Sequence, residues 1–177
     1  MGVPRIKAVR RVARTRFFSI EELDLVFANG VERTYERLPG VGTPAVMVVA
    51  VSDGALVLIR EYCAGFHEMQ LTLVKGAAEG DESLEDAANR ELREEAGLAA
   101  GRMRFVKRLN LAPGHMGFTI NVMLATDLYP APLPADEPEP PEVVYWPLER
   151  LDELIQGEEF REARAIAALC LARPLLL

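Results

Sequence analysis

The sequence predicts a mixed α/β fold, in which a mixed sheet is flanked by helices and preceded by an antiparallel β extension. Three features predict it: two nearly continuous apolar runs typical of central strands, an acidic helix after them, and two amphipathic helices near the C-terminus. In order, these features cover residues 45–51 and 55–62, then about 84–96, then 148–155 and 158–172.

The first half of the chain predicts two hairpins. Residues 17–38 contain two strand-like runs around Asn29-Gly30, and the apolar runs 45–51 and 55–62 flank Asp53-Gly54. Both dipeptides favour tight hairpin turns because their residues tolerate positive φ angles. The basic residues before the first hairpin are interpreted as a solvated strand rather than as an arm that binds nucleic acid.

The remaining elements follow from shorter signals. We expect a short strand at 70–75, strands at 102–111 and 118–128 around the loop Ala112-Pro113-Gly114, and a last strand within VVYWPL. The proline- and acid-rich stretch 130–142 excludes a helix or an inner strand. In the final helix, one apolar side is predicted to contain Phe160, Ala163, Ile166, Ala167 and Cys170.

Bulk properties restrict the classes of function. The 177 residues suit one domain with a core, half of them are hydrophobic, and the formal net charge is −7. This charge makes nucleic acid an unlikely partner, and no apolar run approaches the length of a membrane span. Cys63 and Cys170 follow no metal or redox spacing, so we interpret them as reduced thiols in apolar surroundings of a cytoplasmic protein.

The helix at about 84–96 carries carboxylates where its apolar face should be. Ser83 with Asp86 predicts its start and Gly97 its end. At 3.6 residues per turn, Glu91 and Glu95 fall on the stripe of Leu84, Ala87, Ala88 and Leu92, Glu94 lies at its edge, and Arg90 lies well round the helix. Carboxylates on an inward face need a partner, and a hard divalent cation such as Mg²⁺ suits them. An internal salt-bridge network is the alternative, and a backbone carbonyl near Lys75-Gly76 is a further candidate ligand.

Residues 76–98 resemble the signature of the Nudix family. Gly76, five residues, Glu82, seven residues and then RELREEAGL fill every fixed position of that motif. The resemblance implies an α/β/α sandwich around a mixed sheet and hydrolysis of nucleoside diphosphates linked to another moiety, with Mg²⁺ or Mn²⁺. It also implies that Glu91 and Glu95 are the main metal ligands, that Glu94 assists, and that Arg90 orients them. Glu82 would be a further ligand or a structural partner, and Gly97 belongs to the motif.

Much of the chain is similar to the ADP-ribose pyrophosphatase group, and in particular to a bacterial branch acting on ADP-linked compounds. LIREY, AANRELREE, LAPG and ATDLYP carry that resemblance. It implies release of AMP from ADP-ribose, diadenosine oligophosphates or NADH. Pro113 would contact substrate. A glutamate of the proline loop (Glu137 or Glu139) would act as base or complete the metal shell, unless this stretch is only a linker. Arg60 or Arg37 would replace an arginine that related enzymes carry at the position of Cys63. Adenine itself favours an aromatic platform. Phe17, Phe18 or Tyr35 of the N-terminal hairpin is a candidate for it, unless these are core residues of the strands.

The resemblance also predicts domains and partners. We expect residues 1–43 to form a β extension that makes the contact of a homodimer, and residues 44–177 to form the hydrolase domain. Two alternatives stay open: a Nudix hydrolase of another nucleotide, such as a nucleoside-diphosphate sugar or capped RNA, and a domain that only senses nucleotides.

Overall fold

A computed structural model describes residues 2–40, 42–135 and 138–176 of the chain. Two compact units are present, one formed by Met1–Gly42 with Asn110–Thr119 and the other by Thr43–Leu109 with Ile120–Leu177. The division into an extension at 1–43 and a hydrolase domain at 44–177, with a dimer contact in the extension, stays a prediction. No helix in the described part of the chain is long and apolar enough to cross a membrane.

The first unit contains a three-stranded antiparallel sheet in the order β1-β2-β3. Its strands are β1 (Arg5–Arg14), β2 (Ser19–Val26) and β3 (Glu32–Arg37). The hairpin predicted within 17–38 is confirmed, with Gly30 at a φ of 81° in its turn. The basic N-terminal segment is a mostly exposed strand, as expected, and its Arg10 pairs with Glu22 and Asp24 of the neighbouring strand.

The second unit is built on a mixed sheet of seven strands. The main strand order is β10-β5-β4-β9-β8, while β6 pairs with β5 and β7 pairs with β4. Strand β9 runs parallel to β4, and β5 and β7 pair with it antiparallel. The strands are β4 (Ala45–Ser52), β5 (Ala55–Cys63), β6 (Glu68–Thr72), β7 (Val74–Ala77), β8 (Leu98–Asn110), β9 (Thr119–Pro130) and β10 (Glu142–Pro147). The single strand expected at 70–75 is therefore two strands with different partners.

In the described part of the chain, three α-helices cover the two faces of this sheet: α1 (Leu84–Ala96), α2 (Leu151–Gln156) and α3 (Ala163–Ala172). Side chains of a strand alternate between faces, so β4 contributes to two cores. Val46 and Val48 pack in the core that includes Ala88 and Leu92 of α1, whereas Met47 and Val49 pack in the core shared with α2 and α3. The predicted α/β/α arrangement around a mixed sheet is confirmed.

The last helix differs from its prediction. Instead of beginning at 158, α3 begins at Ala163, because the preceding segment bonds to β6: Leu71 N–H donates to the Glu159 carbonyl (3.3 Å) and Thr72 Oγ1 to Glu162 Oε2 (2.6 Å). The predicted apolar side is confirmed only in part. Phe160 is buried and Ile166 packs against the core, whereas Ala163 and Cys170 are exposed. The buried residues of α3 are Ala165, Ala168, Leu169 and Ala172.

Candidate active site

Helix α1 places four of the predicted site residues, Arg90, Glu91, Glu94 and Glu95. Ser83 Oγ accepts a hydrogen bond from Asp86 N–H (3.0 Å) at its start. At its end, Gly97 takes a φ of 70° and donates its N–H to the Arg93 carbonyl (3.2 Å). A glycine adopts this left-handed conformation without the steric cost of a Cβ. The predicted bounds of the helix are therefore confirmed, and with them the positions of Glu91, Glu94 and Glu95.

The inward face of α1 contains carboxylates, as the helical wheel predicts. Ala87, Ala88 and Leu92 are fully buried, and Glu91 on the same face is only 8% exposed. Glu95, one turn later, is half-buried. A carboxylate removed from water requires hydrogen bonds or a positive partner, so the surroundings of these two groups decide what the site can do.

Strand β7 packs directly against the Glu91 carboxylate at Gly76. A Cβ added to Gly76 would lie 2.0 Å from both Cδ and Oε1 of Glu91. A real Cβ essentially never comes within 3.0 Å of another atom, so any side chain at this position would displace the end of the Glu91 side chain. Gly76 is therefore the residue that allows the Glu91 side chain to occupy its position beside the strand.

Arg90 is the hub of an ion-pair network, although its position on the helix lies away from the stripe. Its Nη1 donates to Glu91 Oε1 (2.9 Å) and Glu94 Oε2 (2.8 Å), and its Nε donates to Glu82 Oε1 (3.0 Å). A further bond from Nη2 to the Ala77 carbonyl measures 2.7 Å. The hydrogen bond from Arg90 lowers the pKa of Glu82, and the same carboxylates raise the pKa of Arg90. The arrangement fits the orienting role that the family resemblance implies, which stays a prediction.

Glu95 is outside that network. Burial raises the pKa of its carboxyl to about 8, and the nearby charges of Glu91 and Glu61 act in the same direction. Only the backbone N–H of Lys75, at 3.1 Å from Oε2, is a hydrogen-bond donor to it among the contacts that the structure describes. The Lys75 ammonium instead forms an ion pair with Glu61. Among the described contacts, the Glu95 carboxylate therefore has no ion pair with a positive side chain.

A cleft of ≈ 340 Å³ opens beside Glu95. It brings together two further residues predicted from the sequence, Arg60 and Glu139. Glu137, the other predicted base, lies outside the described residues. The full lining consists of Arg60, Glu61, Tyr62, Met69, Glu95, Pro138, Glu139, Pro140 and Pro141.

Arg60 enters this cleft with its charge already paired. Its guanidinium bonds to Glu142 (3.2 Å from Nε) and to Glu159 (3.1 Å from Nη2), which raises its pKa. A phosphate would compete with two carboxylates for this group. The contact with substrate predicted for Arg60 stays a prediction.

The remaining predicted substrate residues belong to the unit of Met1–Gly42 and Asn110–Thr119. Arg37 pairs with Glu21 at 2.9 Å, Phe17 is 69% exposed beneath the guanidinium of Arg16, and Pro113 is exposed in its loop. Their roles in binding substrate stay predictions.

Sequence reasoning does not identify three residues of the cleft, Glu61, Tyr62 and Met69. Glu61 and Tyr62 belong to the stretch LIREY, of which only Arg60 is a predicted site residue. Only the pairing of β5 with its neighbours shows that Glu61 reaches Lys75 and that Tyr62 lines the cleft. The signal in the sequence was the acidic and aromatic end of an otherwise apolar strand.

The donor set fits a divalent cation. Glu91, Glu94 and Glu95 supply hard oxygen ligands of the kind that Mg²⁺ and Mn²⁺ bind. Burial raises the pKa of Glu95, so its charged form would be stabilised by a cation. Among residues 2–40, 42–135 and 138–176, three acidic, histidine or cysteine side chains do not converge into a ready-made cage, and Arg90 bonds to Glu91 and Glu94. A cation would therefore share these two carboxylates with Arg90.

Comparisons with known proteins agree with this geometry. Residues 42–169 match the NUDIX domain model, and residues 4–37 match the model of the NudE-type Nudix hydrolase N-terminal domain. The chain is 45% identical over 170 residues to ADP compounds hydrolase NudE of Escherichia coli (strain K12), covering 96% of this chain and 91% of that protein. It is 26% identical to ADP-ribose pyrophosphatase of Bacillus subtilis (strain 168), with 90% of each chain covered.

A solved structure is similar over nearly the whole chain. The crystal structure of an ADP compounds hydrolase superimposes with a TM-score of 0.95 at 44% identity, covering 99% of this chain and 95% of the other. The sequence motif and the carboxylate face of α1 lie within the residues that the family model matches. The fold agrees with that of the solved structure. The chain therefore belongs to the Nudix hydrolase family.

Proposed function

We propose that this protein is a divalent-cation-dependent pyrophosphohydrolase that cleaves the diphosphate of ADP-linked compounds and releases AMP. The substrate class comprises ADP-ribose, diadenosine oligophosphates and NADH. With ADP-ribose, water adds to one phosphorus and the products are AMP and ribose 5-phosphate. The names of the E. coli and B. subtilis relatives support the class, and the half-buried carboxylate Glu95 at the cleft is the observation that carries the chemistry.

The chain's own residues divide the work as follows. Glu91 and Glu95, with Glu94, would hold Mg²⁺ (or Mn²⁺), and the carbonyl of Lys75 is a further candidate ligand. When bound, the cation neutralises diphosphate oxygens and lowers the pKa of a coordinated water. Arg90 keeps Glu91 and Glu94 in place through its 2.9 Å and 2.8 Å hydrogen bonds. Gly76 leaves room for the Glu91 carboxylate.

A carboxylate must accept the proton of the attacking water. Glu139 is favoured for this role because it lines the same cleft as Glu95. Glu137 and Glu94 remain the other candidates. The base is the carboxylate whose replacement by an amide lowers kcat without weakening cation binding. The prolines beside Glu139 restrict its backbone and reduce the conformational entropy that the loop loses on binding.

The proposal extends to the state of the protein in the cell. We place it in the cytoplasm as a homodimer, on the support of its two free cysteines and of the separate three-stranded N-terminal sheet. Light scattering coupled to gel filtration tests the dimer directly. A monomeric mass across the micromolar range would remove this part of the proposal.

The test is AMP release with Mg²⁺ from a panel of ADP-ribose, NADH, diadenosine triphosphate and ADP-glucose, with coenzyme A followed by release of 3′-phosphoadenosine 5′-phosphate. Glu95→Gln keeps the size of the side chain and removes its charge. Glu85→Gln is the matched control, because Glu85 is an exposed glutamate of the same helix. We expect release by the wild type and the control, and loss of at least a hundredfold in Glu95→Gln.

Each alternative has its own outcome once a uridine-diphosphate sugar and a capped RNA are added to that panel. Cleavage of a nucleoside-diphosphate sugar or of a capped RNA, without cleavage of the adenine compounds, would replace the substrate class. Binding of ADP-ribose without any AMP, under Mg²⁺ and Mn²⁺, would indicate a nucleotide sensor. Equal activity of Glu95→Gln and wild type would refute the role of the carboxylate helix.

A further inference from the structure

One side of the cleft is built from large apolar side chains that remain exposed. Tyr62 is 56% exposed and Met69 is 54% exposed, and both line the cleft together with Pro138, Pro140 and Pro141. Tyr62 and Met69 are direct cross-strand partners in the pairing of β5 with β6, so their side chains lie on the same face. They form a continuous apolar surface at the cleft that contains Glu95.

The Tyr62 ring is fixed by His67. The phenol oxygen lies 2.9 Å from His67 Nδ1, and the two rings meet edge to face with centroids 5.9 Å apart. A half-exposed tyrosine normally rotates between several positions. Here a hydrogen bond and a ring contact hold one of them before any ligand arrives, which reduces the entropy lost on binding.

His67 reaches Tyr62 from an unfavourable backbone conformation. Its φ is 54°, in the left-handed region, and the turn is closed by the N–H groups of Phe66 (3.1 Å) and His67 (2.9 Å), both donating to the Cys63 carbonyl. Glycine would satisfy this turn at lower cost. The contact that distinguishes histidine from glycine at this position is its bond to Tyr62, and such strained residues are found where function requires them.

The chemistry of the cleft selects what the apolar surface would contact. Its charged lining includes the carboxylates Glu61, Glu95 and Glu139, while the one arginine, Arg60, is paired with Glu142 and Glu159. Away from the cation that Glu95 would help to hold, a phosphate is therefore disfavoured at the Tyr62 and Met69 side of the cleft. A neutral planar ring instead stacks on an aromatic face and contacts a methionine sulfur favourably. The ≈ 340 Å³ volume lies within the range of small-ligand sites, which is about 300–1,000 Å³.

We propose that Tyr62 and Met69 form a platform for the nucleobase of the substrate, and that His67 is the positioning residue that fixes Tyr62. The inference rests on the proposed function, because it takes the base from an ADP-linked compound. A base on this platform is in the same cleft as Glu95, so the attached diphosphate remains near the carboxylates of α1. The platform acts on affinity, and the cleavage step itself does not depend on it.

The test compares three variants in the AMP-release assay. Tyr62→Leu removes the ring, Tyr62→Phe keeps the ring and loses the bond to His67, and His67→Gly loses the same bond while relieving the backbone. Base stacking on an aromatic side chain changes affinity by roughly tenfold or more, so we expect Tyr62→Leu to raise KM for ADP-ribose by about that factor with kcat nearly unchanged. Tyr62→Phe and His67→Gly should raise KM by smaller, similar factors of about two to five.

Asp53→Gly is the matched control for His67→Gly. Asp53 also has a positive φ, 49°, in the turn between β4 and β5, and it does not line the cleft. Both substitutions should leave the melting temperature unchanged or higher, since each relieves a left-handed residue. A merely structural role for His67 predicts the same kinetics for the two variants, whereas the platform predicts a rise in KM for His67→Gly only.

Saturation-transfer NMR on AMP in EDTA gives a readout that does not depend on hydrolysis. We expect transfer from the protein to the adenine ring protons, reduced strongly in Tyr62→Leu. Unchanged ring signals and an unchanged KM in Tyr62→Leu, in a wild type that releases AMP, would overturn the platform and leave the proposed function standing. Ring signals that depend on Tyr62, in a protein that hydrolyses none of the panel, would overturn the proposed function and support the platform.

Discussion

Replacing Glu95 by glutamine should stabilise the metal-free protein at high pH. Burial raises the pKa of this carboxyl from 4.5 to about 8 in the folded protein. Between these two pH values the folded state binds a proton that the unfolded state has released, so the free energy of unfolding falls as pH rises. The stability that comes from the proton held by folded Glu95 is fully present below about pH 4.5 and is lost as pH rises through about 8. Glutamine does not ionise, and its amide oxygen can keep the 3.1 Å hydrogen bond from Lys75 N–H.

The size of this change in the free energy of unfolding follows from the difference between the two pKa values of Glu95, 4.5 and about 8. At about 1.4 kcal/mol for each pH unit, it corresponds to at most about 5 kcal/mol. Because Glu95 is only partly shielded from water, local relaxation and hydration lower this figure. We therefore expect that the free energy of unfolding of the wild type falls by about 2–4 kcal/mol more than that of Glu95→Gln between pH 5 and pH 9.

Urea unfolding in EDTA at pH 5 and pH 9 measures this difference, with Glu85→Gln as the control for removing a surface charge of the same helix. Other groups titrate in both proteins, so the comparison isolates Glu95. Adding Mg²⁺ at pH 9 should restore stability to the wild type and to the control, and much less to Glu95→Gln. Parallel pH dependences in wild type and variant would refute the inference that Glu95 carries a buried, uncompensated charge.

Three further substitutions test the remaining parts of the site. Gly76→Ala should lower kcat by about a hundredfold with a small change in stability, because the new Cβ displaces only the end of the Glu91 side chain. AMP release measures kcat and urea unfolding measures stability. Full activity would contradict the packing argument. Arg90→Ala should lower the free energy of unfolding in EDTA by about 3 kcal/mol, since it leaves several carboxylates without their partner; chemical denaturation checks it, and an unchanged midpoint would show that the network contributes little. Glu139→Gln should lower kcat by about a hundredfold with KM nearly constant, as measured by initial rates; retained activity would transfer the role of base to another carboxylate.

Local signals account for the parts of the fold that were predicted well. Ser83 and Gly97 mark the ends of α1 through contacts within a few residues, and the periodicity between them places Glu91 on the inner face. The turn dipeptides around Gly30 and Gly54 define two hairpins in the same way. Such features depend on neighbouring residues in the chain, so a single sequence contains them.

Interactions between distant segments account for the errors. The start of α3 was misplaced because the carbonyl of Glu159 and the side chain of Glu162 bond to β6, which no local pattern indicates. The pairing of Arg90 with Glu91 and Glu94 was not predicted, because a helical wheel gives only the position of each residue around the helix axis. The long side chain of Arg90 reaches both carboxylates from its position away from the stripe.

Part of the candidate site was beyond the sequence for the same reason. Glu61 contacts Lys75 only after β5 and β7 take their places in the sheet, and the bond from Tyr62 to His67 depends on a turn with positive φ. The family motif identified the helix and its carboxylates. It contains no information on the residues outside it that line the cleft.

Titration of Mn²⁺, followed by the loss of the electron paramagnetic resonance signal of the free ion, tests whether the buried face of α1 is the cation site. Wild type and Glu85→Gln should remove Mn²⁺ from solution at the same concentrations, and Mg²⁺ should compete for the site. Glu95→Gln should need at least tenfold more protein to do so. Equal binding of Mn²⁺ by Glu95→Gln and wild type would contradict a cation site at Glu91 and Glu95, and with it the proposed mechanism of hydrolysis.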